Sequence, residues 1–499
     1  MADAVAATGG QYVVRPTEPP AGGRPRFDVQ VCPRRAPSLL ELVGYLPAEA
    51  NVVHKGRIPV TMRNLLLAVF LLSVPLPMQA QTAPTANPLA AEAERLSVEL
   101  NPQVVAWRRD FHKNPELGNR ETRTAKVIAD ELRKLGFEVT TGIATTGVVG
   151  VLKGGLPGPV VALRADMDGL PVTEQGDLPF KSTATTQWNG QEVGVMHACG
   201  HDNHMAILLG TATALARMKD RLPGTVKVIF QPAEEGPPPG ETGGAEQMVK
   251  ENVLENPKVD AIFGLHVFPF PAGTIVYRSG PLMASADSFL IRIKGRQTHG
   301  AVPWGGIDPI VIGSQVVMGL QTIVSRTVNI TEAPAVVTVG RFAGGNRSNI
   351  VPEFVELEGT IRTFNEDVRK SIHDRIRAIA TNSAAAAGAT ATVEIGMGTA
   401  YPSTINDPAL TERMLPTLRR AAGADNVRLG PLTGTAEDFS YFQQKVPGLF
   451  VFLGVTPRDQ DYTKVAQNHS PLFFADESAL PVGVKVMTNL ALDYLFGGQ

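Results

Sequence analysis

The sequence predicts an α/β protein built on a mostly parallel sheet, with an α+β unit inserted into it. One observation is that short apolar runs alternate with helical segments between about residue 90 and residue 284. A second is a different order, β-α-β-β-α-β, over residues 285–398. The third is a return to alternating helical and apolar segments over residues 399–499.

The amino-terminal part of the chain has the character of a leader. Residues 1–61 are rich in Pro, Gly and Arg with little apolar periodicity, which predicts a disordered leader or a mis-assigned start. Residues 62–80 combine a basic start, an apolar segment of about ten residues and small residues at the end, as in a signal peptide. We therefore expect translation from Met62 and an exported protein, periplasmic or secreted, that begins near Gln81.

A membrane anchor is the alternative interpretation of this apolar stretch. Its apolar segment is short for a span of about twenty residues, so we expect no stable membrane span after processing. Of the two cysteines, Cys32 precedes the apolar stretch, and the exported chain would therefore have no intramolecular disulfide.

The expected catalytic domain comprises residues 90–284 and 399–499. Helices are predicted over 91–113, 121–135, 407–422 and 477–495. Strands are predicted over 147–154, 159–168, 225–235, 260–269 and 448–455. Because ligands of open α/β sheets gather at the carboxyl ends of strands, the loops that follow these runs are the candidate site.

The inserted segment, residues 285–398, carries helices predicted over 308–326 and 365–387 between four apolar runs. Its element order is that of a split ferredoxin-like unit, which is long enough to fold around its own core.

Two motifs in the expected loops carry metal-binding side chains. HACGHDNH, at residues 197–204, places three imidazoles and the thiol of Cys199 within eight residues. QPAEEG, at residues 231–236, contains adjacent carboxylates. Thiolate, imidazole and carboxylate are ordinary ligands of a divalent cation, so the two motifs together predict a metal site.

The composition excludes some classes of partner. With 46 Lys and Arg against 48 Asp and Glu, the 499-residue chain has a formal charge of -2. That balance offers no basic surface for a phosphate backbone, so we expect no nucleic-acid partner.

Over residues 100–495 the chain resembles the zinc-peptidase-like amidohydrolases, in the branch that carries a cysteine ligand. This family includes hippurate hydrolases, aminoacylases, carboxypeptidase G and plant auxin-conjugate hydrolases. The resemblance rests on motifs that occur in the family's order: FHKNPELGNRET, LRADMDGLP, HACGHDNH, QPAEEG, GLHVFP, THGAVPWGGIDP, GGNRSNIVPE, GTAEDF and NHSP. It implies a mixed sheet with helices on both faces, and an inserted unit, residues 285–398, that acts as a lid and as a dimerisation domain.

The resemblance also implies a metal centre with one or two divalent ions. Its implied ligands are Cys199, His201, Glu235, His266 and His469. Manganese or zinc is expected, although cobalt and nickel suit the same donors. Metal-bound water would attack an amide bond, and Glu234 would be the general base that takes its proton.

Further roles follow from the resemblance. His299 would reach across a homodimer to the substrate carbonyl, and a loop histidine bonded to backbone is the alternative. Asn349 and Arg362 would contact the substrate's free carboxylate, although a solvated arginine is the default on a strand. Asp166 is interpreted as the carboxylate that orients a ligand imidazole, in preference to Asp168.

The expected activity is cleavage of N-acyl amino acids whose acyl group is acetyl, benzoyl or indole-acyl. Two alternatives remain open. One is a dipeptidase or metallocarboxypeptidase acting on small peptides, which would use the same metal chemistry. The other is an exported metal- or peptide-binding protein without turnover, against which the presence of Glu234 argues.

Overall fold

The computed structural model describes residues 11–17, 26–32 and 87–497. The chain divides into two units, residues 1–81 and 82–499. In the first unit, Gln11–Thr17 and Arg26–Cys32 pair as an antiparallel hairpin, which differs from the lack of structure expected for the leader. Both strands contain β-branched and aromatic residues, which favour extended pairing. The predicted signal peptide, residues 62–80, lies outside the described residues and stays a prediction.

Within residues 87–497 the largest element is an eight-stranded mixed sheet. In sheet order, its strands are Val427–Leu429, Ile275–Tyr277, Gly448–Thr456, Ala261–Pro271, Leu156–Asp166, Pro223–Gln231, Gly147–Lys153 and Glu138–Ile143. The four central strands, from Gly448–Thr456 to Pro223–Gln231, run parallel. At one edge, Gly147–Lys153 pairs antiparallel with Pro223–Gln231, and Glu138–Ile143 pairs antiparallel with Gly147–Lys153. The mixed α/β architecture predicted from the sequence is therefore confirmed.

Helices cover both faces of this sheet. They are Ala90–Glu99, Asn101–Lys113, Thr122–Lys134, His201–Arg217, Gly244–Lys250, Pro408–Ala422, Ser440–Gln443 and Leu480–Phe496. Alternate strand residues belong to two separate hydrophobic cores: Leu163 packs into one and Ala162 into the other. Because successive side chains of a strand point to opposite faces, the two cores lie on opposite sides of the sheet.

The helix expected over 91–113 is two helices that meet at Leu100. Pro102 follows the break, in the first turn of the second helix. Proline has no backbone N–H to donate and its ring clashes with a preceding turn, so it is tolerated at a helix start and not in the middle. The apolar pattern runs through both helices, which is why periodicity alone did not reveal the break.

Residues 286–401 form the β-α-β-β-α-β unit, with its own hydrophobic core. Its sheet order is Ala335–Gly344, Phe354–Thr363, Ala286–Lys294 and Thr390–Tyr401, with all neighbours antiparallel. Its helices are Pro309–Thr327 and Glu366–Ala386. Asp308 and Asn365, which we expected inside the helices, are N-caps whose side chains accept hydrogen bonds from the first turns.

The two connections to the inserted unit run side by side. Gly280–Met283, which leads into it, pairs antiparallel with Thr404–Asn406, which leads out. Immediately beyond this pair, Ala286 lies opposite Tyr401. The junction between the unit and the large sheet is therefore narrow.

Short elements complete the described structure. They are the paired strands Thr298–His299 and Ile350–Val351, the hairpin Thr185–Trp188 and Gln191–Gly194, and the 3₁₀ turns Lys219–Arg221, Pro303–Gly305, Ala424–Asn426 and Glu477–Ala479. In this part of the chain, no helix combines the length and the apolar character needed to cross a bilayer.

Candidate metal centre

Four segments bring metal-binding side chains to one edge of the large sheet. His201 is the first residue of helix His201–Arg217, and Cys199 lies just before it. His266 lies within the central strand Ala261–Pro271. Glu235 follows strand Pro223–Gln231, and His469 lies beyond strand Gly448–Thr456. Because these strands are parallel, their carboxyl ends and the loops after them meet at the same edge.

The turn before the helix depends on Gly200. Its φ of 95° lies in the left-handed region, and a Cβ there would stand 2.3 Å from Cγ2 of Val267. Glycine alone avoids both problems, so the chain can turn between Cys199 and His201 directly above the neighbouring strand.

The donor atoms of the five predicted ligands converge. Sγ of Cys199 lies 3.2 Å from Nε2 of His266 and 3.2 Å from Nε2 of His469. Nε2 of His469 is 2.9 Å from Oε1 of Glu235. His201 joins through two groups whose donor atoms all lie within 4.8 Å of one another: Cys199, His201 and His266, and His201, Glu234 and Glu235. This spacing and donor set suit one or two divalent ions.

Two local features show that the site fits a cation. Nε2 of His201 is buried and has no hydrogen-bond partner in the structure. An unpartnered buried polar atom is costly unless a ligand satisfies it. His469 adopts a φ of 69°, unusual for a residue other than glycine, and such backbone strain clusters at functional sites.

Hydrogen bonds determine which imidazole nitrogens are free. Nδ1 of His266 lies 2.7 Å from the carbonyl of Val267, so Nδ1 donates and Nε2 faces Cys199. His204 uses both nitrogens, because Nδ1 lies 2.5 Å from Asp166 and Nε2 accepts from the Val267 N–H. His204 is therefore a hydrogen-bonding neighbour of the site and has no nitrogen left for a metal.

The geometry favours Asp168 over Asp166 as the carboxylate that orients a ligand. Oδ1 of Asp168 lies 3.2 Å from Nδ1 of His201, whereas the closest approach of Asp166 to this ring is 3.8 Å. Asp168 also accepts the backbone N–H groups of Glu234 and Glu235, at 3.1 and 3.0 Å. The Asp168 carboxylate thus lies beside the His201 ring and holds the neighbouring loop through two hydrogen bonds.

Glu234 has the environment of a proton-transfer group. It is buried, and that burial raises the pKa of its carboxyl well above the usual range, as do the nearby carboxylates of Glu437 and Glu235. The preceding residue, Ala233, has a φ of 50°. The hydroxyl of Tyr401 donates a hydrogen bond to the backbone carbonyl of Glu234. A carboxyl with a raised pKa suits general acid-base chemistry near neutral pH.

A buried guanidinium lies beneath the site. Arg164 donates to Gln231 at 2.8 Å, Asp166 at 2.6 Å, Glu437 at 2.8 Å and Asp438 at 3.1 Å. The sequence suggested no role for the two acidic residues of GTAEDF, Glu437 and Asp438, and the structure places both of them in this network. Two adjacent acidic residues in a loop could have indicated a site residue. Their partner, Arg164, could not be identified without the fold.

The ligands open into a cavity of about 320 Å³. Arg362, which is half-buried, reaches its wall from the inserted unit, and its Nη1 lies 3.4 Å from the carbonyl of Ser285. Burial lowers the pKa of this guanidinium. Phe268, Met283 and Ala286 add an apolar wall. The cavity therefore combines metal-binding donors, a cation and apolar surface.

His299 and Asn349 lie elsewhere on the same chain. Both are exposed, and neither lines the cavity. Nδ1 of His299 accepts the N–H of Ala301 at 3.0 Å, and the N–H of Gly300 donates to the Asn349 carbonyl at 2.8 Å. The two residues thus share one surface of the inserted unit. Within a single chain, the His299 ring is bonded to backbone, and its expected role across a dimer stays a prediction.

Comparison with known proteins identifies a family. The profile of "Peptidase family M20/M25/M40" matches residues 162–493. A "Thermostable carboxypeptidase 2" from Saccharolobus solfataricus is 40% identical over 398 residues, which cover 79% of this chain and 96% of that protein. An "N-acetyl-L-cysteine deacetylase" from Bacillus subtilis is 38% identical over 384 residues, which cover 76% of this chain and 85% of that protein.

A solved structure has the same fold. The Bacillus subtilis YXEP protein, titled a dinuclear metal binding peptidase from the M20 family, is 36% identical. It matches with a TM-score of 0.65, over 80% of this chain and 99% of that one.

The contacts of Asp168 generate a prediction. Asp168→Asn keeps the size of the side chain but replaces one of its two accepting oxygens with a donor. Metal affinity should fall about 10- to 100-fold, as is typical when a residue that orients a ligand is lost. Competition with a chromophoric chelator measures this affinity.

Asp287→Asn is the matched control. Asp287 is also a buried, paired aspartate, but it lies in the inserted unit and binds Arg369 at 2.7 Å. It should change stability without changing metal affinity. Equal metal affinity for Asp168→Asn and the wild type would remove the orienting role.

Proposed function

The chain belongs to peptidase family M20/M25/M40, and from this premise and the geometry of the centre we propose that it hydrolyses N-acyl amino acids. Family membership makes it a hydrolase that acts on amide bonds. The observation that carries the proposal is that one cavity holds Cys199, Glu234 and Arg362 together. Metal donors, a buried base and a cation are the parts needed to hold and cleave an amide beside a free carboxylate.

We propose that one or two divalent ions are held by Cys199, His201, Glu235, His266 and His469. A divalent ion at this centre would lower the pKa of a water molecule and polarise an amide carbonyl. Manganese and zinc fit this mixed set of donors, as do cobalt and nickel. The likeness to a dinuclear metal binding peptidase supports a two-ion centre.

Glu234 would carry the proton. Its buried carboxylate can take a proton from water and pass it to the departing amine, which makes a poor leaving group tolerable. Asp168 holds the backbone on which this carboxylate stands, and so keeps it in place beside Glu235. A base held in this way needs little reorganisation when the reaction occurs.

Arg362 would bind the free carboxylate of the amino acid. A guanidinium presents paired N–H donors that match a carboxylate, and the attraction between opposite charges is stronger in a partly buried site than in water. Phe268 and Met283 would then pack against an acetyl, benzoyl or indole-acyl group. A cavity of about 320 Å³ suits a small molecule or a short peptide.

A small-peptide hydrolase is the second candidate. A carboxypeptidase also needs a free carboxylate and an adjacent amide, and a relative bears that name. A dipeptidase would use the same centre. A binding protein without turnover is less well supported. Such a protein would not need a buried proton-transfer group, and Glu234 is one.

We propose further that the protein is a homodimer formed through the inserted unit. This unit exposes large apolar side chains, with Trp304 81% and Met318 70% exposed. Aromatic and methionine side chains are enriched at the interfaces between protein chains. A partner chain docked there could bring its own His299 and Asn349 to the cavity, as the resemblance implies.

Export is also part of the proposal. The apolar stretch at residues 62–80 supports it, since its length and flanks are those of a signal peptide.

The substrate class is tested with purified protein loaded with manganese or zinc. N-acetyl, N-benzoyl and indole-acyl amino acids should be cleaved faster than dipeptides, with release of the free amino acid detected by an amine-reactive dye. Because Arg362 would bind the free carboxylate, the same compounds with that carboxylate converted to a carboxamide should be cleaved slowly. A preference for dipeptides would favour the second candidate.

Glu234→Gln is the control in this screen. It keeps the shape of the side chain but cannot accept the proton, so turnover should fall by about a hundredfold or more. Metal content, measured by mass spectrometry, should be unchanged. Wild-type turnover in this variant would remove the proposed base.

The role of His299 across a dimer predicts complementation. His299→Ala and Glu234→Gln should each be inactive as homodimers. In a hybrid dimer, one of the two sites has its own Glu234 and the partner's intact His299, so activity should return. A purified hybrid without activity would place any function of His299 in its own subunit.

The leader prediction is checked on protein expressed from the full-length sequence. Cleavage should give a mature amino terminus near Gln81 in the exported fraction, which mass spectrometry of the intact protein resolves. A chain that retains residues 62–80 and stays in the cytoplasm would contradict export.

A further inference from the structure

Tyr401 contacts the loop that carries Glu234, and this contact has no part in the chemistry proposed above. It is the last residue of strand Thr390–Tyr401 and lines the cavity. Its hydroxyl donates to the backbone carbonyl of Glu234. The donor therefore comes from the inserted unit and the acceptor from the large sheet.

The loop that carries Glu234 is fixed from two sides. On one side, the Asp168 carboxylate accepts the N–H groups of Glu234 and Glu235. On the other side, Tyr401 binds the Glu234 carbonyl. Ala233, the residue before Glu234, holds a φ of 50°, a conformation that persists only where surrounding contacts impose it.

Tyr401 also stands at the junction through which the inserted unit is attached. Its strand partner there is Ala286, the first residue of the entering strand. The preceding residue, Ser285, donates its N–H to the Thr363 carbonyl at 2.7 Å, and its own carbonyl lies 3.4 Å from Nη1 of Arg362. The junction thus carries both the tyrosine and the guanidinium.

We propose that Tyr401 is a positioning residue that ties the Glu234 loop to this junction and thereby sets the spacing between Glu234 and Arg362. The inference rests on the proposed function, in which one residue serves the scissile amide and the other the free carboxylate. A substrate anchored at Arg362 is aligned with Glu234 only while this spacing is kept. A substrate without the carboxylate has no such anchor.

Tyr441 provides a matched control. Its hydroxyl donates to the carbonyl of Ala400 at 2.7 Å, one residue from Tyr401, and the two rings stand edge to face with centroids 6.5 Å apart. Tyr441 does not line the cavity that holds the ligands. Removing either hydroxyl therefore removes one hydrogen bond to a backbone carbonyl. Only the Tyr401 hydroxyl binds the loop that carries Glu234.

The experiment compares Tyr401→Phe and Tyr441→Phe on an N-acyl amino acid and on its carboxamide. For Tyr401→Phe, we expect kcat on the N-acyl amino acid to fall about tenfold or more, with KM little changed, because alignment in the transition state is lost. The carboxamide should be cleaved slowly by the wild type and by both variants, and its kcat should fall less in Tyr401→Phe than the kcat of the N-acyl amino acid. Metal content and thermal midpoint should match those of Tyr441→Phe, whose kcat should stay close to that of the wild type.

Equal kinetics for the two variants would overturn the positioning role. So would a loss of metal or a fall in thermal midpoint in Tyr401→Phe that accompanies the loss of kcat, because the hydroxyl would then be structural. An inactive wild type overturns the proposed function itself. An active wild type with an unaffected Tyr401→Phe overturns only this inference.

Discussion

Buried carboxylates at the carboxyl edge of the large sheet are the constraint on which the site depends. Arg164 is the buried guanidinium among them and is paired with Asp166, Glu437 and Asp438. Asp168 and Glu234 lie close by, also buried. Burial of several like charges is unfavourable unless cations compensate them. The donor atoms above this network are placed where a divalent ion would supply the missing positive charge.

The fold creates this edge through its strand order. Parallel central strands deliver the loops of Cys199, Glu235 and His469 to one place, whereas the inserted unit approaches from the side and contributes Arg362 to the cavity wall. Two kinds of group therefore meet in the cavity, metal-binding side chains from the large sheet and the guanidinium of Arg362 from the inserted unit. Tyr401 lies at the narrow junction between the two parts, opposite Ala286, and this is the contact that we propose to set their spacing.

Local patterns in the sequence predicted much of this. Apolar runs gave the strands, and the motifs gave the donor residues that the structure brings together. The contacts between residues that are distant in the sequence could not be predicted. Asp166 and Asp168 are both acids after the same strand, and only the folded loop shows which one faces His201. No pattern in the sequence indicated a role for Tyr401, because the partner of its hydroxyl is a backbone carbonyl 167 residues away.

The most direct test of the account is a crystal structure with manganese or zinc, with anomalous scattering recorded at the metal's absorption edge. We expect one or two peaks among Cys199, His201, Glu235, His266 and His469, with zinc about 2.3 Å from the thiolate and about 2.0–2.1 Å from the imidazoles. A metal bound elsewhere, with Sγ of Cys199 unliganded, would contradict it.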